Sequence, residues 1–124
     1  MNKEEPFMRT KNPNDVSPLT ETTLYILVSL APGPLHGYAI GRQVQYLSEN
    51  RIILSVSTLY TTLKRLLEDG WIERVGLEPR PDKSGHPRKN YALTELGRSI
   101  LAAETQRLQS LLALVKRQTA GRGI

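Results

Sequence analysis

Apolar residues recur along the chain at two spacings, and the change from one to the other divides it into elements. Between Thr20 and Leu30, Leu24, Leu27, Val28 and Leu30 fall at helical intervals, with Ser17-Pro18 ahead of them as a cap and a first-turn proline. Pro32-Gly33-Pro34 ends that helix. A second runs from Gly37 to about Ser48, with Ile40, Val44 and Leu47 on one face and Tyr38 and Tyr46 flanking it. The β-branched stretch 51–56 is too brief for a helix and is either an extended connection or a small strand. Ser55 or Ser57 then caps a third helix, where Leu59, Leu63, Leu66 and Leu67 share one arc and Gly70 supplies the left-handed residue past the end. Residues 71–75 and 90–93 read as two strands of a hairpin, with three prolines and Gly85 between them. Thr94-Glu95 opens a last helix of about 24 residues.

Three short helices, a hairpin and a long helix make a mainly α fold with a small β-hairpin: a winged helix-turn-helix with a long C-terminal dimerisation helix. The expected organisation is a flexible arm over 1–18, where Pro6, Pro13 and Pro18 interrupt mixed charge, the winged domain over 19–93, the dimerisation helix over 94–118 and a flexible tail over 119–124. At 1.5 Å per residue the last helix extends roughly 35 Å, beyond what a small core needs. Its apolar residues span about 160° of its surface, more than one neighbour covers, and Leu101, Leu108, Leu111 and Val115 form a partial heptad. With Leu112 and Glu104 they are the expected dimer interface. Glu104 falls near the middle of that arc, so it either reaches water in a groove or meets a cation such as Arg107 from the partner.

Composition narrows the functional classes. A length of 124 residues favours one domain, and the absence of cysteine removes disulfides, thiolate metal sites and cysteine nucleophiles together. His36 and His86 lie fifty residues apart on segments that read as loops, which argues against a zinc enzyme. No apolar run approaches the roughly 20 residues of a membrane span, and Met1-Asn2-Lys3-Glu4-Glu5 is unlike a signal peptide, so the expected location is the cytoplasm, in association with the nucleoid. No glycine-rich phosphate loop follows a strand, no histidine and carboxylate stand close together, and Ser55-Val56-Ser57 is explained by capping. Neither an enzyme nor a cofactor is expected.

A net charge of +5 is ordinary for a domain this size, so its distribution decides. At 100° per residue the third helix turns Ser57, Thr61, Lys64 and Arg65 away from its leucines. Hydroxyls suit phosphates, and Lys or Arg reach guanine in a major groove wide enough for one helix. Thr61 and Arg65 are the expected base readers, Ser57 and Tyr60 the expected phosphate contacts, and Thr58 completes the set on this helix. In the hairpin, Arg80, Lys83, Arg88 and Lys89 stand against Asp82 alone, which places +3 of the chain's charge within ten residues. Lys83, His86, Arg88 and Lys89 are therefore the expected wing contacts to double-stranded DNA. A solvated helix face and a solubilising loop are the ordinary alternatives, and a winged-helix module that binds protein instead of DNA is the competing reading.

These residues resemble the PadR-like transcriptional regulators. Gly33-Pro34-Leu35-His36-Gly37-Tyr38 matches that family's turn into the second helix, and Thr58-Leu59-Tyr60 its start of the third. Arg65-Leu66, Asp69-Gly70, Arg88-Lys89, Tyr91, Leu93-Thr94-Glu95 and Gly97 follow in register, so the resemblance covers roughly residues 19–115. It implies a homodimeric repressor joined through terminal helices on a pseudo-palindromic operator, in the short form with one C-terminal helix. Drug-sensing members of the family carry a tryptophan on the terminal helix. Residues 94–118 hold no aromatic side chain, so a small-molecule effector is not expected, and Tyr25 and the dimer groove are the sites left for one.

Overall fold

A computed structural model describes residues 18–78 and 88–121. Among these residues, four helices surround one core: α1 (Glu21–Leu30), α2 (Gly37–Leu47), α3 (Val56–Glu68) and α4 (Glu95–Gln118). Within the same described residues, three strands, β1 (Leu35–His36), β2 (Ile72–Glu78) and β3 (Arg88–Leu93), form an antiparallel sheet in the order β1-β3-β2. The expected hairpin is β2 and β3, with an irregularity between Arg74 and Gly76 that breaks the pairing register. The third strand was not expected: Leu35 pairs with Tyr91 and His36 with Asn90, so His36 lies on a strand and not in a loop. Two residues leave no periodic signature of their own; their pairing is made by the distant β3. Among the described residues, no helix is long and apolar enough to cross a membrane.

The core is built from Ile26, Leu27 and Leu30 of α1, Ile40 and Val44 of α2, Leu59, Leu63 and Leu66 of α3, Trp71, Ile72, Tyr91 and Leu93 of the wing, and Ile100 of α4. The buried face of α1 is rotated from the expected one: Ile26 is fully buried, while Val28 is exposed. Its N-cap is Thr20, whose backbone is extended and whose side chain accepts the Thr23 N–H at 3.2 Å, where the sequence suggested Ser17-Pro18. Ser17 lies outside the described residues.

Two helix ends set the angles between elements. At the end of α3, Gly70 adopts φ +80, its N–H donates to the Leu67 carbonyl, and the Trp71 N–H reaches back to the Leu66 carbonyl at 3.0 Å. This left-handed turn throws Trp71 onto the core and starts the wing. The end of α2 uses the same pair of bonds without a glycine: the Glu49 N–H donates to the Tyr46 carbonyl, that of Asn50 to the Gln45 carbonyl, and Glu49 sits at φ 55. Buried Ser48 then accepts the Ile52 N–H at 2.9 Å, and the connection that follows it forms no strand. A left-handed conformation costs a non-glycine residue roughly 1–2 kcal/mol. Glu49→Gly removes that cost against about 0.5–1 kcal/mol of added chain entropy. A net gain of about 0.5–1 kcal/mol is expected in the urea midpoint, and a loss would show that the Glu49 side chain supports the turn.

Candidate nucleic-acid interface

α3 is held on three sides. Leu59, Leu63 and Leu66 enter the core, the ring end of Tyr60 lies against Gly37 at the start of α2, and Arg65 donates from Nη2 to Thr23 Oγ1 of α1 at 2.9 Å. Ser55 caps it, accepting the Thr58 N–H at 3.1 Å while its own hydroxyl donates to Thr58 Oγ1 at 3.0 Å. The first turn carries no acid, so the positive end of the helix dipole is not offset by one there.

Ser57, Thr58, Tyr60, Thr61, Lys64 and Arg65 are all exposed, but the fold uses them differently. Ser57, Thr61 and Lys64 occupy the arc opposite the leucines, joined by Glu68 at its C-terminal end. Arg65 lies to one side of that arc, and its bond to buried Thr23 ties the guanidinium to α1 across 42 residues of sequence. That bond braces α3 against α1 through the side chain for which the sequence suggested a base contact. Thr58 is engaged in the cap, and Tyr60 fills the space left by the missing side chain of Gly37. A Cβ at residue 37 would run into the Tyr60 ring end, so any larger residue there displaces the tyrosine from this seat.

A row outside the expected set runs along α2. Tyr38, Arg42 and Tyr46 are successive i, i+4 neighbours, all exposed, and the Arg42 guanidinium carbon stands 5.7 Å from the Tyr38 ring centre. The two tyrosines were visible in sequence as flanking the apolar stripe. What the pattern lacked was the arginine's place above one of them.

On the wing, Lys89 is exposed on β3 opposite Leu77, and Arg88 pairs in register with Glu78. Lys83 and His86 lie outside the described residues.

α4 divides into two halves. Its N-terminal half packs on the domain through Gly97, Ile100 and Glu104. Glu104 is 1% exposed and is satisfied inside its own chain: Arg107 donates Nε to Oε1 at 3.0 Å and Nη2 to Oε2 at 2.7 Å, and the Leu19 N–H donates to Oε2 at 3.2 Å. The expected cation is thus Arg107 of the same helix and not of a partner, and the carboxylate fastens the approach to α1. This bidentate bond also raises the pKa of Arg107 above its already high ordinary value. Beyond this joint, Leu108, Leu111, Leu112, Leu114 and Val115 are all exposed, while Leu101 is half-buried against the core. Leu114, absent from the expected set, widens the apolar surface.

Over residues 26–103 the chain matches the model of the transcriptional regulator PadR-like family. A PadR family transcription regulator from hypervirulent Clostridium difficile R20291 superposes with a TM-score of 0.63 at 25% identity, over 82% of this chain and 100% of that one. Bacillus subtilis PadR in complex with operator DNA gives a TM-score of 0.59 at 26% identity, over 69% of this chain and 46% of that one. An uncharacterized 37.1 kDa protein in transposon TN4556 of Streptomyces fradiae is 31% identical over 91 residues, 73% of this chain and 24% of that protein. The chain therefore spans about a quarter of the length of that curated relative.

Proposed function

The chain belongs to the PadR-like family of transcriptional regulators, and on that footing we propose that it is a homodimeric repressor binding a pseudo-palindromic DNA operator. The observation that carries this reading is the arc of Ser57, Thr61 and Lys64, held outward on a helix braced on three sides and free of acid in its first turn. A rigid helix with hydroxyls and a lysine facing out is what major-groove docking requires, because side chains meet base edges only if the backbone behind them is fixed. The operator complex of the Bacillus subtilis protein supports the same reading.

Roles follow from placement. Thr61 and Lys64 face the bases, Ser57 and Thr58 meet phosphate near the helix start, Tyr60 positions α3 against α2, and Arg65 fixes its roll against α1. Lys89 supplies the wing's contact to phosphates or the minor groove, and Lys83, His86 and Arg88 join it on the ground of their charge in the sequence. The exposed leucines of α4 face their counterparts in a second copy, setting the spacing of two half-sites.

A mobility-shift assay on the DNA upstream of the chain's own gene tests the proposal, with a discrete complex expected at low protein concentration and no complex contradicting it. Lys89→Ala is expected to weaken all DNA sequences alike. It should also lower the slope of log affinity against log salt by about 0.9 for each protomer that loses a phosphate contact. An unchanged slope would take Lys89 off the DNA.

A further inference from the structure

Val56 is the first residue of α3, directly after the Ser55 cap, and it is 71% exposed. Ile53, three residues earlier in the connection, is 66% exposed. Neither belongs to the core nor packs against it, whereas Leu54 and Ile52, between and beside them, do not stand out to this degree. Folding therefore gives no reason for a β-branched apolar residue at the start of the helix, where it gains no burial and has lower helix propensity than alanine. Single exposed apolar side chains are ordinary. Two within four residues, at the end of the recognition helix that enters a groove first, call for a partner with a small apolar feature.

The surroundings restrict what that partner is. Val56 begins an i, i+4 row with Tyr60 and Lys64, and Ser57 and Thr61 lie on the adjoining row, so the Val56 side chain sits at the margin of a polar, positively charged face. Two side chains are far below the roughly 1,200 Å² that a stable protein interface buries. The major groove presents one apolar group among its donors and acceptors, the 5-methyl of thymine, and it is met by small aliphatic side chains.

Resting on the DNA reading above, we propose that Val56 is a specificity-determining residue that selects thymine in each half-site through contact with its 5-methyl group, with Ile53 extending the same apolar edge. The contact is apolar, so it discriminates thymine from cytosine and from uracil without a hydrogen bond, and it is insensitive to salt. The bases read by Thr61 and Lys64 then lie farther along the half-site.

The test replaces thymine by uracil, which removes one methyl group and leaves base pairing intact. A duplex recovered by selection from a random pool is prepared with each thymine substituted singly. Wild type and Val56→Ala are then compared on every duplex at equilibrium. The expected result is one thymine per half-site whose replacement weakens wild type about fourfold, the factor for one buried methyl group, and leaves Val56→Ala unaffected. Val56 is exposed at a helix start, so the variant should keep wild-type stability and salt dependence. Wild type indifferent to every uracil, or Val56→Ala equally sensitive at the same position, overturns the inference and leaves the DNA reading standing. A wild type that selects no motif overturns both.

Discussion

Gly97→Ala is expected to cost the fold about 3 kcal/mol or more, the upper end of the overpacking range. A Cβ at residue 97 would run into the Trp71 carbonyl oxygen and stand 3.0 Å from the carbon behind it. Neither partner has room to retreat. The Trp71 carbonyl accepts the Thr94 N–H at 3.1 Å, and the Trp71 N–H is committed to Leu66. The Thr94 hydroxyl is shared between the Gly70 carbonyl, to which it donates at 2.6 Å, and the Gly97 N–H, which it accepts at 3.0 Å. One extra carbon therefore pushes the start of α4 away from the turn that joins α3 to the wing. Gly76→Ala is the control, because nothing lies within 4 Å of a Cβ there. Urea denaturation of both variants measures the difference, and equal midpoints would mean that α4 can shift on the domain at little cost.

Ending the chain after Arg107 is expected to give monomers and to lower operator affinity by a hundredfold or more. The cut preserves the Arg107–Glu104–Leu19 joint and removes Leu108, Leu111, Leu112, Leu114 and Val115 together. Each half-site contact survives, but the second protomer no longer binds at the high effective concentration that linkage provides. In the full chain, Leu111→Asp should act in the same direction by placing a charge in the seam. Sedimentation velocity and operator titration together decide this. A dimer that persists after the cut would move the interface to another surface.

Much of this fold is legible in one sequence because its punctuation is local. Gly70 and Ser55 act within one turn of their own positions, as Thr94 does in capping α4, and the leucines of α3 sit at the period of a helix. What stayed hidden depends on partners far along the chain. β1 exists through its pairing with β3, and the left-handed end of α2 spans Glu49 and Asn50, the first of them a residue type that carries no signal for it. The candidate interface divides in the same way. Helical spacing turned Ser57, Thr61 and Lys64 outward, yet nothing in the spacing could show that Thr23 would engage Arg65. Glu104 is the converse case: Arg107, one helical turn away, meets its carboxylate within the chain and removes the need for a partner's cation, but the Leu19 N–H that also binds it comes from 85 residues away.

Selection of DNA from a fully random pool by the wild-type chain decides whether the protein reads an operator as a dimer. Two inverted half-sites are expected, with centres separated by about one helical turn of DNA or a multiple of it, because two α3 helices related by a two-fold axis must enter grooves on one face of the duplex. A pool that returns no enriched motif, or a single half-site with no inverted copy, would contradict a dimeric operator-binding repressor.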